Sequence, residues 1–207
     1  MPSSETTAAP AGTVFDEQID GLIADLQLVK QLRADPRFHE SRPHAEAPEH
    51  LKSQNLTAGV LAGPGRLTVP PLIFSDPVSH ELVGIFHLGK ELCGHPGIVH
   101  GGLLATLLDE GLCRCAFPAL PSKVGVTANL NLNYRAPAFA DNFYILRANV
   151  TKQDGRKVWV KGHIETLASE TSQDAVKCVE AEILVVEPKW AKALPKIVDT
   201  EITETTS

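Results

Sequence analysis

The run Gly97-Ile98-Val99-His100-Gly101-Gly102-Leu103-Leu104-Ala105-Thr106-Leu107-Leu108-Asp109 puts two glycines where a loop becomes a helix and a carboxylate further along that helix. The amides of Gly101 and Gly102 have no intrahelical acceptor at that end. They also stand at the positive end of the helix dipole, where an oxyanion or a phosphate is stabilised. Glycine lets a ligand approach the backbone closely. Asp109 supplies the complementary group, a carboxylate able to take a proton. One chain cannot bring both to the same carbonyl. Asp109 is eight residues beyond Gly101, which at the rise of an α-helix is roughly 12 Å along the axis. Two antiparallel helices related by a twofold axis bring the loop of one to the carboxylate of the other. A site made of these residues is therefore a dimer site, present twice per dimer. The helix by itself leaves a plainer reading open, a turn followed by a charge on a solvated face.

The elements that must position these groups are legible in the pattern. The helix is predicted over 103–116, where Leu104, Leu107, Leu108, Gly111, Leu112 and Cys115 form one apolar stripe. Asp109 falls opposite that stripe, near Ala105, Thr106 and Cys113, and Phe117-Pro118 ends the helix. The clearest strand is 124–134. Val124, Val126, Ala128, Leu130, Leu132 and Tyr134 share one face; Gly125, Thr127, Asn129, Asn131 and Asn133 share the other. Asparagine is a poor strand former, so three on one face suggest that partners hold them. Leu67–Phe74 and Glu81–Leu88, joined by residues 75–80, predict a hairpin. Asn142–Gln153 and Lys157–Leu167, turned by Asp154-Gly155, predict two more strands. Ala175–Val186 predicts the last, after a turn around Ser169–Asp174. Hairpin, helix, then a meander of four strands is an α+β order: an antiparallel sheet with one long helix on a face.

The flanks are less informative. Residues 1–13 read as a disordered tail and 14–66 as an N-terminal helix and a connector. The helix spans 14–34, with Phe15, Ile19, Leu22, Ile23, Leu26 and Leu28 as its apolar set. Residues 35–64 have no clear period, and His39, His44 and His50 within them read as surface-loop residues rather than metal ligands. The main domain is 67–188, and 189–207 read as a C-terminal tail. At 43% hydrophobic and 21% charged the chain has the composition of a globular domain. A net charge of −6 argues against a nucleic-acid surface. No apolar run is long enough to span a membrane, and the N-terminus lacks secretory or transit features. Cys93, Cys113, Cys115 and Cys178 lack zinc-ligand spacing and read as free thiols in a reducing compartment. The expected location is cytoplasmic, with a mitochondrial one as the alternative.

His100-Gly101-Gly102, the aspartate at 109 and Thr127-Ala128-Asn129-Leu130-Asn131-Leu132-Asn133-Tyr134 together resemble the hotdog-fold acyl-CoA thioesterases. More narrowly, they resemble the thioesterase-superfamily branch that uses an aspartate in the central helix. The likeness runs over residues 67–187 and leaves 1–66 uncovered. It implies a curved antiparallel sheet wrapped around the helix, and a homodimer, or a dimer of dimers, with sites at the dimer interface. It further implies that the Gly101 amide, with Gly102 near it, polarises a thioester carbonyl. Asp109 of the partner chain then activates water or attacks as a nucleophile. Thr127 holds the water or the carboxylate, and His100 shapes the loop. Coenzyme A is part of the substrate, so no cofactor and no metal is implied, and the setting is lipid metabolism. Coenzyme A is anionic and needs local cations; Arg135, Arg156 and Lys157 are placed to supply them, with Asn129 as a further substrate-binding candidate. Asp109 is expected to be partly desolvated, since burial raises a carboxylate towards a useful base. Relatives often carry Asn or Gln six residues before the histidine; here that position is Gly94, with His95 as the neighbouring polar group. An acyl-CoA-binding protein without turnover, and a hydratase or dehydratase on the same fold, remain alternatives. Trp159 and Trp190 read as either core or acyl-pocket walls.

Overall fold

A computed structural model describes residues 16–167 and 175–191. The expected N-terminal tail, the turn around Ser169–Asp174 and the tail beyond Ala191 lie outside the described residues. In chain order the elements are α1 (Glu17–Asp25), α2 (Gln27–Ala34), β1 (His39–Ser41), α3 (Pro43–Glu46), α4 (Glu49–Lys52), β2 (Leu72–Asp76), β3 (Glu81–Leu88), β4 (Cys93–His95), β5 (Ile98–Val99), α5 (Gly101–Ala116), β6 (Val126–Tyr134), β7 (Asn142–Asp154), β8 (Lys157–Thr166) and β9 (Lys177–Val186). The result is α+β, a seven-stranded antiparallel sheet with α5 as its long helix.

The strand order is β1-β2-β3-β7-β8-β9-β6. The expected four-strand meander is therefore only three strands long. β6 leaves it and pairs with β9 at the far edge. The segment after β6 explains this. The Arg135 and Ala136 amides donate to the Cys178 carbonyl, Ala140 donates to Gly97, and Asp141 donates to Leu88. The chain thus walks from β9, past the loop before α5, to the end of β3, and only there begins β7. The first hairpin strand also starts later than expected, at Leu72. Pro70 and Pro71 precede it, and neither has an amide to give to a ladder.

Both faces of β2, β3 and β7 are covered. Leu82, Phe86, Leu88, Tyr144 and Leu146 pack with Leu104, Leu107, Leu108 and Leu112 of α5. Val83, Ile85 and Ile145 turn the other way, onto Ile23, Val29 and Leu32 of the N-terminal helices. Double coverage is why β3 reads as an almost unbroken apolar run. In β8 the alternation returns: Val158, Val160 and Ile164 face α5, while Lys161, His163 and Glu165 lie on the uncovered face. The predicted single helix over 14–34 is two helices, broken at Leu26 with φ −56° and ψ 133°. On an unbroken helix Ile23 and Val29 would point about 120° apart. The break lets both be fully buried, whereas Leu22 of the expected apolar set is exposed. The connector at 35–64 adds β1 to the edge of the sheet and carries α3, whose His44 lies beside Glu110 of α5.

Candidate active site

α5 begins at Gly101, two residues earlier than its apolar period indicates, because His100 caps it. The Gly102 amide donates to His100 Nδ1 at 2.9 Å. An amide can only donate, so Nδ1 carries no hydrogen in this arrangement. The Gly102 amide is thereby occupied, which corrects the expectation that it stands beside the Gly101 amide as a free donor. No described residue accepts from the Gly101 amide, which leaves it as the donor at this helix end. Two glycines make room for the cap. A Cβ on Gly102 would lie 2.9 Å from His100 Cε1, and one on Gly94 would lie 2.9 Å from His100 Cδ2 and 3.2 Å from its Cα. The departure at Gly94 thus has a steric cause in this chain: the histidine ring is packed against it. His95 is exposed and makes no side-chain hydrogen bond among the described residues.

Asp109 sits on α5, half-buried, and accepts a hydrogen bond from Thr127 Oγ1 at 2.7 Å. Thr127 was expected on the strand face opposite Leu130 and Leu132. All three are on the α5 side: Leu130 and Leu132 pack against the core, and Tyr134 donates from its hydroxyl to the Gly101 carbonyl at 2.8 Å. A bulge reconciles these facts. Thr127 pairs with Val185 and Asn129 with Leu184, so Ala128 has no counterpart. One extra residue reverses the alternation and brings Thr127 round to the helix. Beyond the bulge Asn129, Asn131 and Asn133 lie on the opposite face. There the Asn131 side chain donates to Asn129 Oδ1 at 2.7 Å. Asn129 is thus turned away from the side of the sheet that carries Asp109 and Gly101.

β6 contacts both candidate groups, one near each of its ends. Its start holds Asp109 through Thr127, and its end holds Gly101 through Tyr134. It is also the outermost strand, nine residues long and mostly exposed. The opposite edge, β1, is three residues long.

Of the candidate cations, Arg135 is tied to Glu180 through Nε at 3.0 Å and through its Nη2. Arg156 donates to the Glu187 carbonyl at 2.8 Å. Lys157 is exposed at the start of β8. In register it faces Val186, which in turn faces Val126, so the β7–β8 turn lies at the Asp109 end of the sheet. Of the tryptophans, Trp159 has the Lys152 ammonium over its ring at 4.7 Å, and Trp190 is exposed.

His44, expected on the surface, is buried and lies 2.7 Å from Glu110 Oε1 by its Nε2. Arg114 Nη2 approaches the same oxygen at 3.4 Å. Burial pushes the Glu110 carboxyl up, but hydrogen bonds from His44 and Thr57 and the charges of His44 and Arg114 bring it down to about 2. α3 is four residues long and carries no period to announce this contact. The site's other unforeseen contact, Tyr134 on Gly101, had a signal in the apolar alternation of β6, which aims Tyr134 the same way as Leu130. The four cysteines are unpaired thiols. No helix among the described residues is long and apolar enough to cross a membrane.

A sequence model of the thioesterase superfamily matches residues 96–171, the stretch that holds α5, β6 and the strands after it. A protein of Candida albicans (strain WO-1) named as mitochondrial is 37% identical over 180 residues, covering 86% of this chain and 80% of its own. The acyl-coenzyme A thioesterase THEM4 of Mus musculus is 33% identical over 99 residues, which is 48% of this chain and 42% of that one. A crystal structure of a thioesterase superfamily protein superposes with a TM-score of 0.50 at 26% identity, over 86% of this chain and 81% of that one.

Proposed function

The chain belongs to the thioesterase superfamily and has its hotdog fold, and from that premise we propose that it is an acyl-CoA thioesterase. It hydrolyses an acyl-CoA to a carboxylic acid and free coenzyme A at two equivalent sites of a homodimer. The observation that carries this reading is the double attachment of β6, to Asp109 by Thr127 and to Gly101 by Tyr134. A long edge strand with unpaired backbone groups invites another strand. When two copies of β6 pair antiparallel about a twofold axis, the Thr127 end of one meets the Tyr134 end of the other. Asp109 of one subunit then stands opposite the Gly101 amide of its neighbour. This is the arrangement that the separation along α5 requires.

The chemistry follows from these groups. The Gly101 amide donates to the thioester oxygen as negative charge builds there. Thr127 engages Asp109 Oδ1, and no described side chain donates to Oδ2, so Oδ2 takes the proton of a water that attacks the carbonyl carbon. The C–S bond breaks, the proton held on Asp109 Oδ2 passes to the leaving sulfur, and coenzyme A departs as the thiol. His100 acts on the loop by holding Gly102. Lys157 and Arg156 of one subunit and Arg135 of the other converge near each site in such a dimer and offer charge to the phosphates. Arg135 is already neutralised by Glu180 and contributes least. Similarity to the mouse acyl-coenzyme A thioesterase, over less than half of that protein, supports the substrate class. The name of the Candida albicans relative supports a mitochondrial rather than a cytoplasmic setting.

A panel of acyl-CoAs of increasing chain length, read by thiol release, tests the reading. Wild type is expected to cleave at least one length class, and Asp109→Asn to lose about 10²-fold or more in kcat, the scale of a general base. Equal rates for the two, with a nonhydrolysable acyl-CoA still bound, would leave a binding protein in its place. Water addition to enoyl-CoA without thiol release would make it a hydratase.

A further inference from the structure

The hydrogen-bond chain behind Asp109 has a third member. Thr127 Oγ1 lies 2.7 Å from Asp109 Oδ1 and 3.1 Å from Cys113 Sγ. Asp109 and Cys113 are four residues apart on α5, so their side chains share a face, one above the other. A hydroxyl owns one hydrogen and two lone pairs, whereas a carboxylate only accepts. The Thr127 hydrogen is therefore committed to Asp109, and the second contact must draw its hydrogen from Cys113. The thiol has one to give. It is buried, its charged neighbours are Asp109 and Glu110, and burial pushes it up to about 11. A buried, protonated thiol is not a nucleophile.

We propose that Cys113 is a positioning residue for the hydrolysis: its S–H donates to Thr127 Oγ1, which turns the Thr127 hydrogen onto Asp109 Oδ1 and leaves Oδ2 free for water. Cys113 makes and breaks no covalent bond. It fixes the hydroxyl rotor. Without it the Thr127 hydroxyl still donates to Asp109 but loses the donor that fixes its rotor, so that bond is held less firmly. Only the bulge at Ala128 makes this possible, because it alone brings Thr127 to the helix face on which Asp109 and Cys113 both stand. The inference rests on the thioesterase reading for its catalytic consequence, but not for the hydrogen-bond order.

The test uses full-length wild type, Cys113→Ala, Cys113→Ser and Thr127→Ala. It reads kcat and KM on the acyl-CoA that wild type cleaves fastest, and the titration of the Asp109 carboxyl by carbon NMR. Cys113→Ala is expected to lower kcat about three- to tenfold, the scale of one lost hydrogen bond, with KM unchanged. The Asp109 titration moves upward, because the hydroxyl that donates to its charged form is held less firmly. Cys113→Ser keeps an O–H and recovers both. In the Thr127→Ala background Cys113→Ala has no further effect. Wild-type kcat with an unmoved titration in Cys113→Ala overturns the proposal, and so does a loss that simply adds to that of Thr127→Ala. If wild type releases no thiol from any acyl-CoA, the thioesterase reading fails while the NMR titration still decides the order of donors.

Discussion

At the scale of single residues, charge placement on α5 divides the labour between neighbours. Asp109 is half-buried and meets a neutral hydroxyl. Glu110, next to it, is held by His44 and Arg114 on the side of the helix that α3 covers. That difference gives Glu110 a measurable signature. A carboxyl held lower in the folded chain than its ordinary 4.5 adds stability that is complete above that pH. The stability is lost as pH falls through about 2. Part of the side chain reaches solvent, so the amount is about 1–2 kcal/mol rather than the full equivalent of the displacement. Urea unfolding of Glu110→Gln from pH 7 down to 2 is expected to show a flatter acid limb than wild type. An unchanged limb would mean that His44 and Arg114 do not hold the carboxylate. Asp109→Asn serves as the contrast, with catalysis lost and this limb retained.

At the scale of elements, the junction of β4, β5 and α5 is tuned to a histidine cap. An N-cap that satisfies an amide of the first turn is worth about 1 kcal/mol, and here the cap also consumes the Gly102 donor. Restoring the polar residue that relatives often carry is therefore expected to harm this chain. In Gly94→Asn the new Cβ meets the His100 ring and Cα at 2.9 and 3.2 Å, and the ring can yield only by leaving Gly102. The expected result is a loss of about 1–3 kcal/mol in stability, the usual cost of overpacking, with a parallel fall in kcat. Thermal unfolding and turnover measured on the same preparation check it. Higher activity in Gly94→Asn would show that the cap is not what sets the loop.

At the scale of the whole molecule, the long edge at β6 and the separation of Gly101 from Asp109 make one claim, that the active unit has two chains. Mixing two inactive variants tests it. In a mixed dimer of Asp109→Asn and Gly101→Val chains, one site carries both changes and the other carries neither. An equimolar mixture refolded together is expected to recover about a quarter of wild-type activity, since half of the dimers are mixed and each of those has one intact site. Sites contained within single chains would give no recovery. The charged outer face of β8 and β9 lies on the other side of the sheet from both groups and should not affect this outcome.

The sequence by itself determined what short-range pattern can encode. The apolar stripe of α5, the alternation of β6 and the Asp154-Gly155 turn were all legible, and with them the superfamily. Local periodicity also placed Tyr134 on the same face as Leu130. The tertiary structure decided what depends on partners far along the chain. Thr127 reaches Asp109 only because β6 pairs with β9 with one residue to spare, and nothing in the strand's own residues marks Ala128 as that residue. His44 is buried only because α3 crosses α5, a contact between positions 66 residues apart. Gly102 is closed to a ligand because a ring atom took its hydrogen bond first. Periodicity reports which face of an element is apolar, whereas register, capping and long-range ion pairs are set by whichever donor and acceptor meet when those faces pack.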